Sequence, residues 1–353
     1  MDSMEHFFSK WMEDSGPEAE IVLSSRVRLA RNIKKVPFPY LASDSQTQEV
    51  LDIVTRAASK GGDKYKDFRF IKMHEISSLE RKVLVEKHLI SPLLAKQTNN
   101  GAVLLRKDES VSIMINEEDH LRLQSLLPGL QLEQALKLIN EYDDKLESVI
   151  DYAVDERYGY LTTCPTNVGT GMRASVMLHL PGLVLTKQID RILTAIPKVG
   201  LAVRGLYGEG TEMVGNLLQI SNQVTLGQSE GEIIRNIYGV TRQIIKQEEQ
   251  ARQSLLNEGR EKLADRVFRA LGILKYARLI TSAEAMRLLS DLRLGLDLGL
   301  VTELNRRMVN ELMVIIRPAC LQYISKKELP PRERDVERAV QIRRRIAAVS
   351  GGK

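Results

Sequence analysis

VLSSRVRLAR, residues 22–31, sets Arg26 and Arg28 two apart in a run that reads as a β-strand. Successive strand side chains point to opposite faces, so the two guanidiniums share one face while Val27 and Leu29 point into a core. Guanidinium forks match phosphate oxygens two at a time, which a lysine ammonium does not do. Alone, RVR on a strand more often marks a solvated edge, but three later segments change its weight. NEEDHLR (116–122), CPTNVGTGMR (164–173) and RGLYGEGTE (204–212) follow in order. Together the four supply arginines for a polyphosphate, carboxylates for a cationic nucleophile and glycine-rich turns. That combination points to phosphoryl transfer.

In VSIMINEEDHLR an apolar strand ends in Glu117 and Glu118, where the chain leaves the sheet and a side chain on a rigid support can reach a cleft. Adjacent residues on an extended chain face opposite ways, so one of the two carboxylates is expected in the site, with Arg122 joining the phosphate cluster. CPTNVGTGMR is expected to lead from a strand (YGYLTT) into a helix (MRASVMLHL). Its Gly-Thr-Gly turn would cradle phosphate with backbone N–H groups, with Arg173 adding charge. Cys164 opens that loop, as a small buried residue or as a thiolate near cations. GxxxxGK[ST] is absent, which excludes a Walker-type site. In RGLYGEGTE, Arg204 ends a strand and Glu209 lies in a glycine loop able to close over a substrate.

With 353 residues, 43% of them hydrophobic, the chain can bury a large core or two ordinary ones. No apolar run reaches membrane-spanning length and no leader pattern opens it, so a cytoplasmic protein is expected. Two cysteines and five histidines give neither a disulfide framework nor a zinc pattern, and no metal held by protein ligands is expected. Residues 251–353 hold 21 Lys+Arg against 12 Asp+Glu, while residues 1–250 hold 30 against 34. This asymmetry suggests two halves, the basic one facing an anionic partner or modification.

Strands are expected at 21–29, 68–74, 102–106, 111–115, 158–163 and 201–207, and helices at 43–59, 78–88, 131–149, 172–180 and 186–196. The irregular connections disfavour a doubly wound sheet and favour an α+β fold, an antiparallel sheet flanked by helices. From about residue 230 the pattern is all-helical: 230–258, 260–271, 282–290, 302–315 and 332–348. Ser282 is expected as an N-cap, Pro318 and Pro330-Pro331 as stops, and the long first helix as a bridge between halves. The expected organisation is an N-terminal segment (1–20), a catalytic domain (21–251) and an all-helical C-terminal domain (252–353).

The four ordered segments SSRVR, NEEDH, CPTNxGTGxR and RGxxGE resemble the motifs of the phosphagen (ATP:guanido) kinases over about residues 21–250. Only 23 residues precede SSRVR, where small-molecule guanidino kinases carry a helical domain, and Met114 stands where those enzymes place Trp. With QISNQVTLGQSE and ERDVERA, the whole chain is similar to the bacterial protein-arginine kinase branch of that family. The resemblance implies that Glu118 and Glu209 grip a guanidinium beside Cys164, with Glu118 as the base. It implies an ATP site formed by Ser24, Ser25, Arg26, Val27, Arg28, His88, Arg122, Arg173, Ala174, Ser175, Val176, Met177, Arg204, Gly205, Leu206, Tyr207 and Gly208, with Mg²⁺. It further implies a homodimer through the helical half, substrate proteins that include a heat-shock transcriptional repressor, a zinc-binding activator protein and an unfoldase–protease complex downstream.

After Pro330-Pro331, Arg334 and Arg338 are i and i+4 on a helix, with Asp335 beside them. Two guanidiniums suit a phosphate and a carboxylate suits a guanidinium. The resemblance implies that Arg334, Asp335, Arg338 and Ala339 form a regulatory phosphoarginine pocket. Two rival functions remain: a kinase for free arginine or another small guanidino compound, and an inactive adaptor binding phosphoarginine or nucleic acid.

Overall fold

The computed structural model describes residues 8–205 and 213–350, the last by backbone alone. The strands are β1 (Val22–Arg31), β2 (Phe68–Lys72), β3 (Ala102–Arg106), β4 (Val111–Ile115), β5 (Leu121–Pro128), β6 (Val154–Asp155), β7 (Gly159–Tyr160), β8 (Met172–His179), β9 (Leu201–Gly205) and β10 (Leu217–Asn222). Eight of them form one antiparallel sheet in the order β2-β3-β4-β5-β1-β8-β10-β9, and β6 and β7 pair separately. The arginine-bearing β1 lies at the sheet centre.

The helices are α1 (Asp44–Lys60), α2 (Ser78–Glu86), α3 (Leu132–Glu147), α4 (Pro181–Leu185), α5 (Ile189–Ala195), α6 (Glu230–Tyr276), α7 (Ser282–Asp297), α8 (Arg306–Ile315), α9 (Pro318–Ser325) and α10 (Pro331–Ser350). Capping boxes start α1 (Ser43 with Gln46), α2 (Ser77 with Glu80) and α6 (Ser229 with Glu232), each satisfying two otherwise orphaned N–H groups. The architecture is the α+β fold expected, an antiparallel sheet flanked by helices and followed by a helical region.

Several local expectations differ. MRASVMLHL, read as a helix, is β8, paired along both edges with β1 and β10; apart from Arg173 its residues are buried whichever face they point to, so the half-exposed pattern that marks a strand is missing. LRLQSLLP and LLQISN, where no strand is expected, form β5 and β10. The helices expected at 230–258 and 260–271 do form: α6 is two helices meeting at a kink at Gly259 (φ −166°, ψ 48°), the second running on to Tyr276. Thr281, not Ser282, caps α7 by accepting the Glu284 N–H, and Pro318 opens α9 instead of ending a helix. Of the strand expected at 158–163 only Gly159–Tyr160 forms, and of 201–207 only the residues to 205 are described.

One face of the sheet, carrying Val27, Leu29, Leu123, Ala174, Val176 and Ile220, packs on α1, α3 and the first half of α6. Arg31 shares that face and makes a buried ion pair with Asp143 of α3 (2.7 Å), its guanidinium 3.5 Å from the Tyr160 ring centroid. A second core joins the later half of α6 to α7, α8 and α10, and takes in Leu23, Met177 and Leu217 from the sheet. Residues 8–20 tie both halves together. Trp11 Nε1 donates to Lys87 O (3.2 Å), Asn310 Nδ2 donates to Met12 O (3.2 Å), and Arg293 Nη2 donates to Ala19 O (2.6 Å).

Candidate active site

Strand register assembles the arginines on the sheet face opposite the large core. Across β1 and β8, Arg26 pairs with Ser175 and Arg28 with Arg173; across β1 and β5, Arg26 pairs with Leu126 and Arg28 with Gln124, putting Arg122 on the same face. On the far side of β10, Arg204 pairs with Gln219, itself opposite Met177. Arg26, Arg28, Arg122, Arg173 and Arg204 therefore line one face, as the alternation argument requires.

Their partners are mostly neutral. Arg26 Nη2 donates to Gln219 Oε1 (2.8 Å) and its Nε to Ser175 Oγ (3.4 Å), while Arg173 Nη2 donates to Ser221 Oγ (3.2 Å). Burial, with the surrounding arginines, pushes Arg26 down to about 10 and Arg28 well below the ordinary guanidinium value. Arg173 is lowered by burial and by Arg204 and Arg122, against opposing pulls from Cys164 and Glu118. Burial disfavours a charged group and an opposite charge restores it, so this face is built for an anion.

The two adjacent carboxylates separate in role. Glu117 is 3% exposed and accepts from Arg122 Nη1 on both oxygens, at 2.8 Å each. Its carboxyl is held below the ordinary range; burial opposes this, but Arg122 and the Ser91 and Arg122 hydrogen bonds prevail. Glu118 is only part-buried, and burial, with Asp119 and Glu117 beside it, raises its carboxyl against the pull of Arg122 and Arg28. Glu118 is thus the more exposed carboxylate of the pair. The turn between them and β5 is stiff. Asp119 Oδ1 accepts from Asn32 Nδ2 and Thr163 N, both at 2.7 Å, and His120 Nδ1 accepts from Ile33 N (3.0 Å).

Because β8 is a strand, CPTNVGTGMR has no helix start to offer a phosphate. Its glycines serve close packing instead: Gly169 (φ +116°) and Gly171 (φ +66°) adopt conformations that favour glycine. A Cβ at Gly171 would lie 2.6 Å from Ala30 O. Cys164 is part-buried, with Sγ 3.1 Å from Thr166 Oγ1.

His88 stacks at a tilt on Trp11 (centroids 5.6 Å apart) and lines a small cavity with Ser24, Arg26, Leu126, Ser175, Met177 and Gln219. Burial, with Arg26 and Arg317 near, lowers it to about 3, so it is neutral at physiological pH. Val27, Ala174 and Val176 have their side chains in the core on the other face. Ser25 is buried there too, accepting from Gln131 N (2.9 Å) and donating to Gly129 O (2.8 Å). Gly205 ends β9, and Leu206, Tyr207, Gly208 and Glu209 lie outside the described residues. The sequence reading missed Glu117 as the holder of Arg122, and Gln219 and Ser221 as the acceptors beneath Arg26 and Arg173. The signal for the latter was the polar alternation of LLQISN.

The C-terminal cluster lies elsewhere, on α10. Arg338 is 2% exposed, donating from Nε to Ile316 O and from Nη1 to Ile280 O, both at 2.8 Å, and it also binds the Asp335 carboxylate. Ala339 is buried in the helical core. Arg334 is part-exposed, and its Nε has no hydrogen-bond partner among the described residues.

Residues 49–251 match the family model described as ATP:guanido phosphotransferase, C-terminal catalytic domain, and residues 260–353 match that of the Protein-arginine kinase McsB C-terminal domain. The chain is 54% identical over 347 residues to the protein-arginine kinase of Brevibacillus brevis, covering 98% of this chain and 97% of that one. It is 53% identical over 348 residues to the protein-arginine kinase of Pelotomaculum thermopropionicum, covering 98% of each. Among solved structures it is similar to the duplicated taurocyamine kinase of Schistosoma mansoni with bound transition-state-analogue components (TM-score 0.60, 27% identity, 67% of this chain and 34% of that one). Lombricine kinase shares the fold (TM-score 0.59, 23% identity, 70% of each chain). By motif, fold and near full-length similarity, this phosphotransferase belongs to the protein-arginine kinases within the ATP:guanido phosphotransferase family.

Proposed function

We propose that the chain transfers the γ-phosphoryl group of ATP to the guanidinium of arginine residues in proteins. The observation that carries this is the row of arginines on one sheet face, Arg26 and Arg173 held by neutral acceptors and Arg122 by Glu117, bordered by the part-exposed Glu118 carboxylate. Arg26, Arg28, Arg122, Arg173 and Arg204 hold the phosphates. A guanidinium is a poor nucleophile because it is cationic. Glu118 orients one nitrogen towards the γ-phosphorus and accepts its proton as the N–P bond forms and the bond to the β,γ-bridging oxygen breaks, releasing ADP. Glu209 is assigned to the guanidinium's other face, and Cys164 sits beside it without taking part in bond making. Positioning and electrostatics supply most of the acceleration.

Mg²⁺ is proposed as the nucleotide's companion, carried by its phosphates. When bound it offsets charge on the transferring phosphoryl group.

The wider setting is proposed from family membership: a cytoplasmic homodimer that marks proteins, including a heat-shock repressor, for an unfoldase–protease. A zinc-binding activator protein and phosphoarginine at Arg334, Asp335, Arg338 and Ala339 would regulate it. No helix among the described residues is long and apolar enough to cross a membrane.

The test is mass spectrometry of a protein substrate after incubation with ATP and Mg²⁺, under non-acidic conditions because the N–P bond is acid-labile. Phosphorylated arginine residues are expected. Phosphorylation of free arginine with none on protein would overturn the reading in favour of a small-guanidine kinase. Neither product and no ATP consumption would leave only a binding role.

A further inference from the structure

Six large apolar side chains that the fold leaves exposed lie in three loops around the turn bearing Glu118 and the loop bearing Cys164. They are Tyr40 (69% exposed), Leu41 (67%), Val154 (51%), Tyr158 (46%), Val224 (50%) and Leu226 (49%). Single exposed apolar residues are ordinary, but several gathered about one opening mark a surface that another molecule covers.

The loops are fastened to the site. After β1, His120 Nε2 donates to Pro37 O (2.9 Å), its Nδ1 being occupied by the Ile33 N–H, and the Tyr40-Leu41 turn follows directly, its N–H groups returning to Phe38 O. Val154 and Tyr158 belong to the β6–β7 hairpin, which is anchored by Ala153 N donating to Asn32 O (2.7 Å); Asn32 in turn holds Asp119 (2.7 Å). Val224 and Leu226 flank Thr225, whose hydroxyl donates to Thr166 O (3.2 Å) and Val168 O (2.6 Å) in the Cys164 loop. Rigid hydrogen-bonded loops thus present apolar groups on several sides of the acceptor position.

We propose that these loops form subsites for the residues flanking the acceptor arginine, so that the preferred substrate is a polypeptide carrying large apolar side chains within a few residues of that arginine. The occupant is a polypeptide because the acceptor is read as an arginine within a protein, whose chain continues on both sides of it, advancing about 3.3 Å per residue and alternating its side chains. The inference rests on the reading of the site as a protein-arginine kinase and deepens it by naming sequence context as a determinant.

Two short peptides with a single arginine, one flanked by Leu and Val and the other by Gly and Ser, test it. They are assayed with the full chain, with Tyr40→Ser/Leu41→Ser and with Val224→Ser/Leu226→Ser. All four positions are exposed, so folding is little affected. The parent is expected to favour the apolar peptide by about tenfold in kcat/KM, chiefly through KM. Each double variant should lose most of that preference while treating the Gly/Ser peptide as the parent does. Equal kcat/KM for the two peptides in the parent, or variants that slow both peptides alike, overturns the rim. Failure of the parent to phosphorylate either peptide or a whole protein overturns the kinase reading itself.

Discussion

Arg28 and Arg173 stand directly opposite one another across the β1–β8 ladder, and the Nε of each is buried with no hydrogen-bond partner among the described residues. Like charges in opposed strand positions repel, and an unsatisfied buried donor adds to the cost. A phosphate between the two removes both penalties.

Arg28→Met keeps the apolar stem and removes the charge. Without nucleotide its Tm is expected to equal or exceed that of the parent. The stabilisation by ATP, about 2.7 kcal/mol at a hundred times Kd in the parent, should largely vanish. A variant that melts earlier yet retains the full ATP shift would show that the arginine supports the fold and not the nucleotide.

Glu118→Gln is expected to cut turnover roughly 10²–10⁴-fold with ATP binding little changed. Burial and the neighbouring Asp119 and Glu117 raise this carboxyl, so as pH falls the parent should lose its working carboxylate above the usual glutamate range. For stability the sign reverses. The folded state binds this proton more readily than the unfolded chain, so the group costs stability as pH rises through its raised value. The Gln variant should therefore be at least as stable as the parent at neutral pH, and equilibrium denaturation with a pH–rate profile checks both.

Glu117→Gln should act through Arg122. Losing the charge-assisted contact in which both Glu117 oxygens hold Arg122 Nη1 leaves the guanidinium unaimed, and KM for ATP is expected to rise about 10–100-fold with a smaller change in kcat. A fall confined to kcat would instead put Glu117 at the reacting nitrogen.

On α10 the two arginines should behave differently. Arg338→Ala strands the Ile280 and Ile316 carbonyls and is expected to cost about 3 kcal/mol, seen as an early thermal transition. Arg334→Ala should stay within about 0.5 kcal/mol of the parent and abolish calorimetric binding of phosphoarginine. Unchanged binding would separate Arg334 from any such pocket.

The central strand was legible because VLSSRVRLAR alternates, which fixes which side chains join the arginine face and which face the core. NEEDH was legible as a strand end whose two carboxylates differ in exposure, but not as a device in which Glu117 holds Arg122. That pairing depends on how the turn folds back on β5. MRASVMLHL misled because a strand covered on both faces looks like a buried helix, and its true state is decided by β1 and β10 on either side. The contacts of residues 8–20 with Lys87, Arg293 and Asn310 span the chain and leave no local pattern.

The boundary between the two matched families, at residues 251 and 260, invites a picture of two cassettes joined end to end. The seam tells otherwise. Leu23, Met177 and Leu217 of the sheet belong to the helical core, and Arg252 is buried between Glu248 and Asp297 at 2.7 and 3.2 Å. A recombination event at that boundary would inherit half a seam and bury mismatched surfaces. The tail and the sheet therefore form one heritable unit, and a chimera that borrows this tail must borrow the sheet residues beneath it as well.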